Sequence, residues 1–205
     1  MPRVALKADD IEAFRRKATA AAMRLFAQHG YDGVTMRALA EELGVSAMTS
    51  YRYVAGKDEL FALVRAEAFR RFGDCLASAG GRSVDPSERL LRLKKAYIGF
   101  AVDDVDAYRI MFELRAPDDA NTEAAEQVER ESRRAFGYLH DAVRAAVEAG
   151  ELVGDALAVA RLLWASTHGL VSLHLAGRLS RRALEELAAI DHELAGFRKP
   201  KRRAR

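Results

Sequence analysis

The sequence predicts an all-α fold of about nine helices in two domains, and three observations carry that reading. Apolar residues recur at i, i+3, i+4 and i+7 along most of the chain. No stretch sustains the period-two alternation of a strand. All four prolines stand at terminal or boundary positions, where they interrupt no helix. The pattern divides into a three-helix head at residues 1–56, a helical body at 57–198 and a basic tail at 199–205. At 205 residues there is enough chain to bury a core in both domains.

Ile11, Phe14, Ala18, Leu25 and Phe26 form the apolar face of a first helix that closes at Gly30. Thr35 stands where the N-cap of a second helix belongs, and Met36, Leu39, Ala40 and Leu43 are its apolar face. Gly44 can take the left-handed conformation that ends it. Val45 plugs the corner and Ser46 caps a third helix, Ala47 to Tyr53. So tight a turn makes two short helices cross steeply. The third helix can bury one side only, through Val45, Met48 or Ser50, and Val54, which leaves Thr49, Tyr51, Arg52 and Tyr53 facing outward.

A long fourth helix begins near Lys57 and Asp58 and carries Leu60, Phe61, Val64, Ala68, Phe72 and Leu76. Asp85 caps a fifth, with Pro86 in its first turn and Tyr97, Ile98 and Ala101 on its apolar side. A short sixth spans about 104–114. The seventh, about 121–149, keeps Val128, Ala135, Phe136, Leu139 and Val143 on one face. The eighth, about 155–176, is apolar on nearly every side and must be covered all round. A ninth spans 180–197 with Leu184, Leu187, Ile190 and Leu194 as its stripe. The cover expected for the outer face of the eighth helix is a second copy of the chain, two helices from each subunit making a four-helix interface.

The segment Thr35 to Lys57 carries the chemistry. Its second short helix bears small residues, hydroxyls, two tyrosines and an arginine where a core helix would bear leucines, and Lys57 follows. Hydroxyl, guanidinium and ammonium groups suit phosphate oxygens and base edges, so the pair reads as a helix-turn-helix docking on double-stranded DNA. The plainer alternative is a helical corner whose exposed tyrosines have no role.

The run from Ala20 to Lys57 resembles the DNA-binding domain of the TetR/AcrR family of transcriptional repressors. Leu25-Phe26, Gly30-Tyr31, Gly33 before Thr35, Leu39-Ala40, Leu43-Gly44-Val45-Ser46, Tyr51 and Lys57-Asp58 carry the resemblance. Ser50 departs from the family's usual buried Leu or Ile, and Val54 from a frequent Phe. The resemblance implies a homodimer whose heads enter successive major grooves, about 34–36 Å apart. On that basis Thr35, Ser46, Tyr51, Tyr53 and Lys57 would hold phosphates, while Arg37, Ala47, Met48, Thr49 and Arg52 would read bases. Trp164, His168 and Gly169 are similar to the regulatory domain of a TetR subgroup named for those residue types. The function implied is that of a repressor released from a pseudo-palindromic operator by an unknown small-molecule effector. Candidate walls for its site are Tyr97, Phe100, Phe112, Phe136, Leu139, Trp164 and His168. Trp164 and His168 share a helical face and serve either as cavity wall or as packed core. Gly169 inside a helix suggests close helix approach. Other readings left open are a transcriptional activator, a non-specific nucleoid-like DNA binder, and a lipid- or acyl-group-binding module.

Net charge is +3, yet the last eight residues hold six basic side chains and no acid, leaving −3 on the rest. The tail either solubilises the terminus or adds phosphate contacts. Enzyme chemistry finds no footing: G-x-S-x-G, H-E-x-x-H and C-x-x-C are absent, and Tyr51 stands where a phosphate loop ending in Gly56-Lys57 needs its first glycine. The histidines make no i, i+3 or i+4 pair, so neither a metal nor another cofactor is expected. Cys75 reads as a buried thiol or a redox sensor. A lone cysteine, the lack of a leader pattern and an uncharged run, Leu162 to Gly177, too short for a comfortable span point to the cytoplasm with no membrane partner.

Overall fold

The computed structural model describes residues 8–81, 85–114 and 123–194. Among the described residues there are nine α-helices and no strand: α1 (Ala8–His29), α2 (Met36–Glu42), α3 (Ala47–Ser50), α4 (Lys57–Gly80), α5 (Pro86–Asp103), α6 (Val105–Phe112), α7 (Glu123–Glu148), α8 (Ala156–Leu175) and α9 (Arg181–Leu194). The basic tail and the expected starts and ends at residues 121 and 197 lie outside the described residues.

Helix ends fall where side-chain chemistry puts them. The side chains of Thr35, Ser46, Asp85 and Asp155 accept from Ala38, Thr49, Glu88 and Ala158 N–H groups, each satisfying one free donor of a first turn. Gly30 and Gly44, at φ +68 and +66, close α1 and α2 in the left-handed region. α3 is shorter than its sequence suggests. After Ser50 the Arg52 and Tyr53 N–H groups donate to Thr49 and Ser50 carbonyls, three residues back, so the last turn tightens out of α geometry.

The chain forms two compact units, Met1–Arg70 with Asp106–Ser132, and Arg71–Val105 with Arg133–Arg205. In the first, Phe26, Leu39, Leu60 and Phe61 are fully buried, with the rings of Phe26 and Phe61 edge to face at 4.9 Å. The Arg65 guanidinium donates twice to the Met111 carbonyl, at 3.2 and 2.8 Å, and burial lowers its pKa. In the second unit Phe72, Tyr97, Phe136 and Trp164 form an aromatic cluster, with Trp164 5.6 Å from Tyr97 and 5.4 Å from Phe136.

One alternative left open by the sequence is resolved at this level. By sequence Met48 is an alternative to Ser50 for the buried side of α3; Ser50 is 0% exposed and Met48 is 80% exposed. Among the described residues the buried Ser50 hydroxyl has no hydrogen-bond partner, an uncompensated desolvation. Ser50→Ala should therefore raise stability by about 1 kcal/mol, about 2–4 °C in Tm at fixed protein concentration. A melting curve showing a lower Tm would mean the hydroxyl is satisfied in solution.

α8 leaves an outer face open among the described residues. Its sequence reads as a buried helix, and it is long and apolar enough by length and composition to cross a membrane, yet only 22% of its apolar window is buried within the chain. Ala160, Leu163, Thr167 and Val171 face inward, while Leu162 is 69% exposed. Nor does Gly169 mark a close approach inside the chain: a Cβ built there meets nothing within 4 Å.

Candidate nucleic-acid interface and regulatory cavity

The corner between α2 and α3 is built by backbone bonds. Gly44 N–H donates to the Glu41 carbonyl at 3.1 Å and Val45 N–H to the Ala40 carbonyl at 2.9 Å. The left-handed Gly44 lets the chain turn back at once, and α3 leaves with Ser50 and Val54 buried beneath it. Its outer side is then fixed by helical periodicity.

Met48, Tyr51 and Arg52 are exposed there, Ala47 and Thr49 half-buried. The Arg52 guanidinium makes no ion pair or hydrogen bond among the described residues. The Ser46 hydroxyl accepts from Thr49 N–H at 3.1 Å and lies 2.8 Å from the Thr49 hydroxyl. Thr35 is occupied likewise, accepting from Ala38 N–H at 3.1 Å. A capping oxygen keeps lone-pair capacity, and its hydroxyl proton can still reach an anion. Arg37 is exposed on α2 and paired with Glu41 at 3.0 Å.

Tyr53 departs from the outward orientation expected of it. Its ring stacks on Phe14 of α1 at 4.1 Å and 18°, and its carbonyl accepts from Arg15 Nε at 3.1 Å. Burying the ring against α1 removes more apolar surface from water than pointing it outward would. Lys57 holds its ammonium 4.2 Å from the centre of the Tyr31 ring. Tyr31 donates its phenol hydrogen to Asp58, and burial first, then that carboxylate, pushes the phenol up to about 12. The phenol therefore stays neutral under Lys57.

The predicted cavity walls do not all meet. Tyr97, Leu139 and Trp164 line one cavity in the second unit with Leu76, Leu90, Leu93, Lys94, Leu163 and Thr167. His168 Nδ1 lies 3.2 Å from the Tyr97 hydroxyl, and Phe136 touches Trp164. Phe100 packs on Phe72 and borders a separate open recess with Cys75 and Asp103. Phe112 sits in the first unit, against Phe69 and Tyr108. A period of 3.6 places these aromatics on inward faces but does not say which inward faces converge. The enclosed space is about 30 Å³, room for about one water molecule. Sequence reading missed Lys94, which the spacing of Leu90, Lys94, Tyr97 and Ala101 could have placed on the buried face of α5. Cys75 is half-buried with its thiol hydrogen directed at the Ala96 carbonyl, and burial with nearby Asp103 raises its pKa, so little thiolate forms at neutral pH.

Comparison with known proteins agrees with this geometry. The HTH-type transcriptional regulator Rv1816 of Mycobacterium tuberculosis is 25% identical over 86% of this chain and 86% of its own length. The HTH-type transcriptional regulator BetI of Brucella anthropi is 37% identical over 37% of this chain and 39% of its own. The crystal structure of the regulatory protein SCO4313 superposes with a TM-score of 0.76 at 22% identity, covering 93% of this chain and 98% of that one. Residues 18–64 match the family described as bacterial regulatory proteins, tetR family. Residues 90–197 match the tetracyclin repressor-like C-terminal domain, more than half the chain. The chain belongs to the TetR family of helix-turn-helix transcriptional regulators.

Proposed function

We propose that the protein is a homodimeric, sequence-selective repressor that leaves a pseudo-palindromic operator when a small molecule binds its body. The observation that carries this reading is the outer side of α3: Met48, Tyr51 and Arg52 stand exposed on a helix whose caps and buried Ser50 and Val54 fix its orientation. Residues 1–56 serve as the DNA-binding domain and 57–198 as the regulatory and dimerisation domain. Tyr51, Tyr53 and Lys57, with the hydroxyls of Thr35 and Ser46, hold phosphates. Arg37, Ala47, Met48, Thr49 and Arg52 meet base edges. Trp164, His168 and Gly169 support placing the chain in the subgroup named for those residue types. A regulator of this kind works in the cytoplasm, where its DNA is.

Dimerisation is supported by one stripe on α8. Leu162, Ser166, Gly169 and Leu173 fall at i, i+4, i+7 and i+11, and both leucines are exposed. With Leu187 and Ile190 exposed on α9, that surface is the natural seat of a second copy rather than of lipid, since α9 brings Arg182 and Glu186 to the same side. Induction is supported by the convergence of Tyr97, Leu139 and Trp164 on one cavity in the body, which at about 30 Å³ is too small for an effector as it stands. Reciprocity requires that such a ligand weaken DNA binding by the factor by which DNA weakens ligand binding.

Selection of bound sequences from random DNA, followed by titration against bulk competitor, tests the reading. A palindromic consensus bound at least about a thousandfold above bulk DNA is expected, and equal affinity for all sequences would leave a nucleoid-like binder instead. Glu41→Gln is a second test, because Glu41 both pairs Arg37 and carries negative charge beside the DNA-facing side. It should strengthen DNA binding about three- to tenfold at low salt, with the gain fading as salt rises. Weaker binding of that variant would take Arg37 out of the interface.

A further inference from the structure

We infer that Met48 selects thymine through the C5-methyl group, so that each operator half-site carries a thymine among the base pairs under α3. This rests on the sequence-selective reading of α3 and adds the base that the helix selects. The segment 47–53, Ala-Met-Thr-Ser-Tyr-Arg-Tyr, contains no Asn, Gln, Asp or Glu. It therefore offers no amide for the paired donor and acceptor of adenine and no carboxylate for the amino group of cytosine. Beyond hydroxyls it offers one guanidinium, which suits guanine, and apolar ends. The apolar group that bases display in the major groove is the thymine methyl.

Met48 is the apolar end that the fold leaves in water. It stands two residues before the buried Ser50, about 200° round the helix, and is 80% exposed. Its neighbours Ala47 and Thr49 are half-buried and shorter, so the thioether reaches beyond them. Contact with a methyl group removes apolar surface from water on both sides. An unbranched, polarisable side chain can follow that methyl without strain.

The surroundings favour DNA over a protein or lipid as the partner of this side chain. Among the described residues of the first unit, the exposed large apolar side chains are Met48 and Tyr51. One thioether with one phenol makes too small a patch for a protein interface or a bilayer, whereas it matches a single methyl. Charge agrees. Arg52 is exposed on the same segment and Lys57 opens α4, while the acids of α2 are neutralised within the head. Glu41 pairs with Arg37 at 3.0 Å and Glu42 with Arg24 at 2.8 Å.

Replacing each thymine of the selected operator by uracil tests the assignment, because uracil lacks only the methyl and keeps every hydrogen-bonding group. The full-length protein should lose about three- to tenfold in affinity at one thymine of a half-site, the size expected for one buried methyl. Met48→Ala should bind the thymine and uracil operators alike. Titrations at one low salt concentration keep a weakened variant measurable, and circular dichroism confirms that this exposed substitution leaves the fold intact. A loss on uracil substitution that persists in Met48→Ala would belong to DNA shape or to another side chain and would overturn the inference. A clear consensus in which uracil is harmless at every thymine would also overturn it, and would leave sequence-selective binding standing. Selection that yields no consensus would overturn both.

Discussion

Leu173→Asp is expected to turn the dimer into a monomer or an aggregate and to abolish operator binding. The side chain lies on the exposed stripe of α8, where Leu162, Ser166, Gly169 and Leu173 share a face. Within one chain an aspartate there would remain solvated and cost little. Only when a second copy covers the stripe does the carboxylate lose its water, a penalty of several kcal/mol per site that a two-fold interface meets twice. Gly169→Leu separates interface from fold more sharply. A Cβ built there meets nothing within 4 Å among the described residues and the change removes a helix glycine, so the isolated body should be stabilised by about 1 kcal/mol while two chains are wedged apart. Sedimentation across micromolar concentrations, with circular dichroism as the check on folding, reads both. Two folded variants that sediment as wild type and bind operator normally would place the interface elsewhere.

The helices are legible in the sequence because their limits depend on neighbours only. Thr35, Ser46, Asp85 and Asp155 cap, Gly30 and Gly44 terminate, and the apolar period from Leu60 to Leu76 sets the buried face of α4. Met48 and Ser50 cannot be separated in the same way, because a two-turn helix has too few residues for periodicity to choose a face. Tyr53 is misplaced outward by sequence because the Phe14 ring it stacks on comes from another helix, 39 residues away in the chain. The cavity is legible in part. Tyr97, Leu139 and Trp164 converge, but Phe100, which packs on Phe72 as Tyr97 does, borders a separate recess, and Phe112 belongs to the other unit. Lys94 escapes a sequence reading that lets its charge argue for the surface, although its spacing with Leu90, Tyr97 and Ala101 puts it on the buried face of α5.

On the DNA side, the variants should divide into two classes. Tyr51→Ala and Lys57→Ala are expected to weaken binding to operator and random DNA by similar factors. Removing the Lys57 charge should also reduce the salt dependence by about one counterion, since one phosphate is no longer neutralised. Lys57 needs a companion variant, because its ammonium also lies on the Tyr31 ring. Tyr31→Phe keeps the ring under the ammonium and removes only the bond to Asp58, so it separates a missing phosphate partner from disturbed local packing. Arg52→Ala and Arg37→Ala should instead lower the ratio of operator to random binding by about 1–3 kcal/mol, or about five- to 150-fold, at defined base pairs. Arg52 is expected to show the larger change, because Arg37 must first give up Glu41. Titrations with operator, point-mutated operators and random duplex at several salt concentrations distinguish the classes. If Arg52→Ala weakened all duplexes alike, its guanidinium would be a phosphate ligand, and base reading would fall to Met48 and Thr49 on the same exposed side of α3.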